Sequence, residues 1–276
     1  MKKFTVSKEQ NLRDFTDSVY PQGSFAFNVL LKAGDIKVNG VKTKVNATLS
    51  VGDEVVYYTT AKQEAKLSHT IVYEDENILV ADKLSGVSTE GMTYELNEKG
   101  NYISVHRLDR NTSGLICFAK NEQAEKVLLA AFRDKDVQKT YLCFAKNNFK
   151  KNKDFLTAYL FKDEKKSQVF ISSEQKNGYV KIMTEYAVLK RMGDYALVEV
   201  TLHTGKTHQI RAHLAYIGCP VLGDEKYGDE ALNKKYGAKR QILVAKQLKF
   251  NLSGDMAYLN NLNLVSAFYP ELPERK

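Results

Sequence analysis

From residue 70 onward, apolar and polar positions alternate in short runs, the period of a half-buried strand. Ile71-Val72-Tyr73 and Ile78-Leu79-Val80 flank a turn at Asp75-Glu76-Asn77. Further strand signals fall at 102–108, 115–119, 140–145, 169–172, 180–189 and 195–202. Two segments carry a helical period instead. Ala124, Val127, Leu128 and Ala131 share one face of a helix beginning after Asn121, and Ile210, Leu214 and Ile217 form the buried stripe of another after Thr207. Several strand runs are joined by turns too short for parallel crossovers. The pattern predicts an α+β protein with a mixed, mainly antiparallel sheet and helices packed on it.

The N-terminal part reads differently. Ser24 is placed to cap a short helix through Leu31, with Gly34 ending it. Ile36 and Val38 alternate ahead of Asn39-Gly40, a hairpin signal, and Gly52-Asp53 marks a turn before the apolar run 55–58. This predicts a small α+β module over residues 1–60, decorated by Lys32, Lys37, Lys42 and Lys44. A polar stretch without apolar periodicity follows, so 61–69 is expected to be a linker and 70–276 the larger domain. The lysine-rich run 146–153 is expected to be a solvated loop.

Composition narrows the class. Of 276 residues, 43% are hydrophobic, which suffices for one sizeable core beside a small module. The net charge of +8 suits a polyphosphate partner, because Lys and Arg displace counterions from a nucleic-acid backbone. An anionic membrane is the other candidate, but no lipidation motif, basic amphipathic terminal helix or spanning apolar run accompanies the charge. The start MKKFTVSKEQ has no apolar h-region. Cys117, Cys143 and Cys219 are odd in number and show no CxxC pairing, which favours a reducing compartment over a disulfide framework or a zinc knuckle. A cytoplasmic protein is expected.

Three stretches have candidate chemistry. The first is His106-Arg107-Leu108-Asp109-Arg110-Asn111-Thr112-Ser113-Gly114, where one strand run ends and the next begins. Leu108 is expected in the core and Asp109 in a cleft, with Arg107 and Arg110 favouring the ionised carboxylate. Alone, this reads equally as a turn aspartate salt-bridged to a neighbouring arginine. The second runs from Leu202 through His203, Lys206, His208 and Arg211 to Leu214, as strand, tight turn and helix start. His208 and Arg211 lie three apart and share a face, which leaves Arg211 free to meet a carboxylate from another segment or to remain a surface charge. The third is Lys139-Thr140-Tyr141, where Tyr141 offers either a stacking ring or a half-buried sheet tyrosine.

Other chemistries fail on spacing. Gly205-Lys206-Thr207 ends like a phosphate-binding loop, but Val200 stands where that loop needs glycine. A five-residue helical step turns about 140°, so His208 and His213 diverge and HExxH zinc geometry is absent. No GxSxG elbow supports a serine hydrolase. No metal is expected.

Together the three stretches resemble the RluA-type pseudouridine synthases, over about residues 71–250. The strings HRLDxxTSG and HTGKTHQIRAHLAYIGCPVLGDEKYG are specific to that family in order and spacing. KAGDIKVNGVKTKVNATLSVGDEV, in the first module, is more loosely similar to an S4 RNA-binding module. The resemblance implies an enzyme that isomerises uridine in RNA, ribosomal RNA being favoured over transfer RNA. It implies no cofactor, because nothing is oxidised and no atom is lost. Asp109 would be the catalytic aspartate, Arg211 its partner and Tyr141 the ring stacked on the target base. Arg107 would fill the space left by the flipped nucleotide. Arg110, Lys139, Lys206 and His208 are expected to contact RNA. A monomer is expected.

The sequence departs from the family pattern at Leu84, where proline is usual, at Lys206, where arginine is commoner, and at Val244, where histidine is usual. These touch substrate choice and loop rigidity rather than the three catalytic candidates. Two rival readings are a non-catalytic RNA-binding or ribosome-assembly factor, and an RNA glycosidic hydrolase that would release free uracil.

Overall fold

The structure, a computed structural model, describes residues 1–273. Its N-terminal unit contains β1 (Lys2–Thr5), β2 (Gln10–Asn11), α1 (Leu12–Val19), α2 (Pro21–Ala33), β3 (Ile36–Val38), β4 (Val41–Thr43), β5 (Thr48–Leu49) and β6 (Glu54–Tyr57). The antiparallel sheet runs β1-β6-β3-β4, and β2 pairs with β5. Leu12, Phe15, Phe27, Leu30, Ile36 and Tyr57 form its core. Asn39 and Gly40 both have positive φ, as the expected tight hairpin requires. Gly34, at φ 75°, ends α2 as expected, but the helix does not begin at Ser24. It begins at Pro21, a position where the missing N–H and fixed φ suit the first turn. Ser24 lies inside, and its hydroxyl donates to Asp17 Oδ1 at 2.7 Å. Helix α1, not anticipated, is capped by the Asn11 side chain, which accepts from Asp14 N.

The connection over 61–69 is ordered. It holds the helical turn α3 (Ala61–Glu64), closed by reciprocal hydrogen bonds between Thr60 and Gln63, and then a buried Ser68.

The larger unit follows as β7 (His69–Glu74), β8 (Ile78–Lys83), α4 (Thr89–Asn97), β9 (Ile103–Ser104), β10 (Ser113–Ala119), α5 (Glu122–Asp134), β11 (Val137–Lys146), β12 (Lys153–Asp163) and β13 (Gln168–Ser172). It continues through β14 (Val180–Met192), β15 (Tyr195–Leu202), α6 (Gln209–Tyr216), α7 (Glu230–Tyr236), β16 (Leu243–Phe250), a 3₁₀ segment (Gly254–Asn261) and β17 (Leu264–Val265). One eleven-stranded sheet runs β13-β12-β14-β15-β11-β16-β10-β8-β7, with β9 on β10 and β17 on β16. Every pair is antiparallel except β10 with β16. The expected mixed, mainly antiparallel α+β architecture is therefore observed.

All six residues of β8 are buried, and β10 is nearly so. Both faces of these two strands are covered, which is why they read as continuous apolar runs. Leu79, Ile116, Cys143, Val198 and Leu214 pack on one side, and Val80, Cys117, Leu128, Val137 and Leu248 on the other. Helix α5 is capped by Asn121 and buries Ala124, Leu128 and Ala131, as its period predicted. All three cysteines are buried and free. Among the described residues no helix is long and apolar enough to cross a membrane.

The strand expected over 102–108 survives only as β9. Beyond it the backbone of Leu108 is served by a side chain instead: the Thr89 hydroxyl accepts from Leu108 N at 3.1 Å and donates to Leu108 O at 3.2 Å. With those two groups satisfied, the chain leaves the sheet as a loop at Leu108 without stranding them. That loop carries Asp109.

Candidate active site

The Asp109 loop is clamped from residues 83–89. Lys83, fully buried at the end of β8, donates through Nζ to the carbonyls of Val87 (2.7 Å), Arg110 (3.1 Å) and Leu84 (3.2 Å). Gly86 N donates to Arg110 O at 2.8 Å, and Ser85 Oγ to Asn111 O at 3.0 Å. Burial pulls the Lys83 pKa down to about 7, against the opposing charge of Asp109. Thr112 N closes the turn onto Asp109 O at 2.9 Å, and the Thr112 hydroxyl takes Gln241 Nε2 at 3.0 Å. At Gly114 the backbone has φ 105° and passes so close to Ala245 that a side chain would overlap its carbonyl. Only glycine lets β10 enter its parallel pairing with β16 directly after the loop. Leu108 is buried and Asp109 is turned to a cleft, as expected.

Arg211, in the first turns of α6, meets this loop. Its Nη1 donates to Asp109 Oδ2 at 2.8 Å. Its other edge grips Asp224 through Nε to Oδ2 at 2.6 Å and Nη2 to Oδ1 at 3.0 Å. The planar guanidinium thus bridges two carboxylates, a use its fork geometry allows and a lysine's point charge does not. Asp224 also accepts from the backbone N–H groups of Lys226 and Tyr227. The ring of Tyr227 lies 5.3 Å from the guanidinium carbon.

Tyr141 reaches the cleft from β11, where a register shift against β16 falls between Thr140 and Tyr141. Such an irregularity re-aims a side chain. Burial, and then the Asp109 charge, push the Tyr141 phenol well above its usual range, so it stays protonated.

These three side chains line one cleft of about 660 Å³, together with Arg107, Lys139, Lys206 and His208. That volume admits a nucleoside. Lys139 is largely desolvated, which lowers its pKa, and its Nζ lies 5.6 Å from the centre of the Phe132 ring. Lys206 is exposed at the rim, and its N–H donates to Gln209 Oε1 at 3.1 Å. His208 precedes α6 in the left-handed conformation, at φ 54°, rather than lying within the helix. Its Nδ1 is 2.9 Å from the Tyr227 hydroxyl. Burial brings its pKa to about 4, against the Asp109 charge, so the imidazole is neutral at pH 7.

The two arginines that flank Asp109 in the sequence turn elsewhere. Neither Arg107 nor Arg110 is the cation hydrogen-bonded to Asp109. Arg107 stands at the exposed rim and pairs with Glu90 at 3.2 Å. Arg110 does not line the cleft and instead pairs with Asp17 of the N-terminal unit at 3.0 Å. The three histidines of the second stretch likewise go to separate partners. His203 faces Glu185, His208 faces Tyr227 and His213 faces Thr184.

Sequence reasoning missed Asp224, Tyr227, Lys83, Thr89 and Gln209. Gln209 is buried and accepts from Thr204 Oγ1 and Lys206 N while donating to Met183 O and Thr184 Oγ1, which ties the β14, β15 and α6 ends together. Asp224 and Tyr227 lie inside the string GDEKYG, so the signal was visible, but their contact with Arg211 was not.

A pH dependence follows from Asp224. Desolvation disfavours its charge, yet the hydrogen bonds and charge of Arg211 outweigh this and lower its pKa below the reference 3.8. A depressed carboxylate pKa means the folded state binds fewer protons than the unfolded one. Its stabilising contribution is complete by about pH 5, above the unfolded value, and is lost as pH falls through the folded value. Urea unfolding of the wild type is expected to weaken between pH 5 and pH 3 by more than that of Asp224→Asn, on the order of 1 kcal/mol. Equal slopes for the two proteins would contradict this linkage.

Comparison with known proteins agrees with the geometry. Residues 77–216 match the family described as RNA pseudouridylate synthase. The chain is 30% identical over 250 residues to ribosomal large subunit pseudouridine synthase C of Vibrio cholerae, covering 80% of this chain and 78% of that protein. It is 32% identical over 257 residues to the protein of the same name from Salmonella typhimurium, covering 82% and 79%. Among solved structures, human RNA pseudouridylate synthase domain containing 1 superposes with a TM-score of 0.59 at 24% identity, over 74% of this chain and 83% of that one, which supports the fold. The chain belongs to the RNA pseudouridine synthases, isomerases that act on uridine in RNA.

Proposed function

We propose that this enzyme isomerises specific uridines of ribosomal RNA, with Asp109 as the catalytic carboxylate, Arg211 as its partner and Tyr141 as the ring against the target base. The observation that carries the site is the 2.8 Å bond from Arg211 to Asp109, which joins residues from distant segments at a cleft that Tyr141 also lines. The names of the relatives support the ribosomal substrate. Residues 1–60 act as an S4-like RNA-binding module, 61–69 connect it, and 70–276 form the catalytic domain. The enzyme is a cytoplasmic monomer.

In the reaction the N1–C1′ bond breaks, the uracil rotates, C5 bonds to C1′, the C5 proton leaves and N1 ends protonated. Composition is unchanged. The target first leaves its stack, at a cost of a few kcal/mol. Asp109 acts on the ribose, by attack at C1′ or by taking the C2′ proton. Arg211 orients the carboxylate and supplies the adjacent positive charge. The protonated Tyr141 stacks on the base, and its hydroxyl assists loss of the C5 proton as a relay, passing its own proton to water as it accepts the one from C5. Uridine deuterated at C2′ separates the two routes, since only proton removal gives a primary isotope effect.

The test is a pseudouridine map of all cellular RNA in a strain lacking the gene, complemented with wild type or with Asp109→Asn. Sites in ribosomal RNA should vanish and return only with the wild type. Lost sites confined to transfer RNA would redirect the substrate. An unchanged map is what a protein acting only in ribosome assembly would give.

A further inference from the structure

Arg110 belongs to the loop that presents Asp109, yet its side chain crosses to the N-terminal module. Its Nη1 meets Asp17 Oδ2, on α1, at 3.0 Å. Asp17 is buried. Arg13 Nε shares the same oxygen at 3.1 Å, and Ser24 Oγ donates to the other at 2.7 Å. The Asp17 carbonyl accepts the hydroxyl of Ser88, the cap of α4. Helix α4 comes so close that any side chain at Gly91 would overlap that carbonyl. Asp17 is therefore a fixed point where the module is seated on the catalytic domain.

Arg110 is held equally firmly on its own side. Its carbonyl accepts from Lys83 Nζ and Gly86 N, and its Nε donates to Gly86 O at 3.3 Å. The loop has left the sheet, so these contacts, with the Thr89 clasp on Leu108, hold it in place of strand pairing.

We propose that Asp17 is a positioning residue for the isomerisation: through Arg110, the docked N-terminal module sets the loop that presents Asp109 to the ribose. The proposal rests on Asp109 being the catalytic carboxylate. It gives the module a part in the chemical step beyond gripping RNA. It also gives Arg110 a role other than the RNA contact expected from its charge. The physical basis is the steep dependence of rate on geometry, where a displacement of about 1 Å costs on the order of 10²-fold.

The test uses full-length Asp17→Asn, Arg110→Gln and their double variant, with ribosomal RNA from the deletion strain as substrate. Arg110→Gln leaves Asp17 with Arg13 and Ser24, so the module keeps its buried carboxylate satisfied. Thermal unfolding checks that each variant is folded. The expected result is a fall in kcat of about tenfold with KM for RNA unchanged, and a double variant no slower than the worse single one, as for residues acting as a unit. Arg110→Lys should recover part of the loss by keeping a charge opposite Asp17. A raised KM at wild-type kcat would overturn the proposal in favour of a simple RNA grip. Wild-type kinetics, or independent multiplying losses, would also overturn it. If Asp109→Asn remains active, the catalytic assignment itself fails. If Asp109→Asn is dead while the Arg110 variants are normal, only the positioning role fails.

Discussion

Asp109→Asn is expected to lower the rate of pseudouridine formation by about 10³-fold or more, with little change in stability. Both routes at the ribose need a carboxylate oxygen, as nucleophile at C1′ or as base at C2′. An amide of the same shape is a poor form of either. The fold has little reason to respond. The Asp109 side chain is 20% exposed, and Arg211 keeps its two bonds to Asp224 when the Asp109 charge is removed. The amide oxygen still accepts from Nη1, so the expected loss of stability is about 1 kcal/mol. Single-turnover conversion of ribosomal RNA measures the first quantity and urea unfolding the second. Appreciable turnover by the folded variant would remove Asp109 from the mechanism.

Arg211→Met is expected to fail in both respects. Asp224 has no solvent-exposed side-chain surface and would lose its only cationic partner among the described residues, keeping two backbone donors. Breaking a buried pair from one side costs about 3–5 kcal/mol, because the remaining charge is stranded. At this chain length that corresponds to a fall in Tm of about 10 °C. Turnover falls as well, since Asp109 loses the donor that orients it. Arg211→Lys should fall short of the wild type in both measures, because one ammonium cannot serve two carboxylates with the same geometry. Arg211→Met/Asp224→Asn should recover stability, the stranded charge being gone, but not activity. Recovery of activity in that double variant would show that Arg211 serves the fold and not Asp109.

Much of the molecule was legible in the order of residues, and its gaps have physical causes. The runs at 115–119, 169–172 and 195–202 matched β10, β13 and β15 closely, since each is bounded by turn residues and pairs along its length. The α5 prediction worked because cap and stripe are both local signals. The strand over 102–108 failed because Thr89 satisfies the Leu108 backbone from a distant helix. Ser24 looked like a cap, but Pro21 opens the helix and Ser24 turns to Asp17. Lys153 was expected in a solvated loop and instead begins β12, a strand whose alternation begins amid lysines.

The site divides the same way. Asp109, Tyr141 and Arg211 were nameable from their motifs because each motif is contiguous. Asp109 by itself could not be told from a salt-bridged turn residue, and its nearest charges in sequence proved misleading. Arg107 and Arg110 flank it along the chain, but in space they turn to Glu90 and Asp17, while the partner comes 102 residues later. Contiguous patterns specify periodicity, caps and motif identity, so the sequence alone determined the family, the α+β class and the candidate carboxylate. Which charges meet is a property of chain crossings between distant segments. Only the tertiary structure decided that Arg211 is shared with buried Asp224, and that Arg110 ties the Asp109 loop to the N-terminal module.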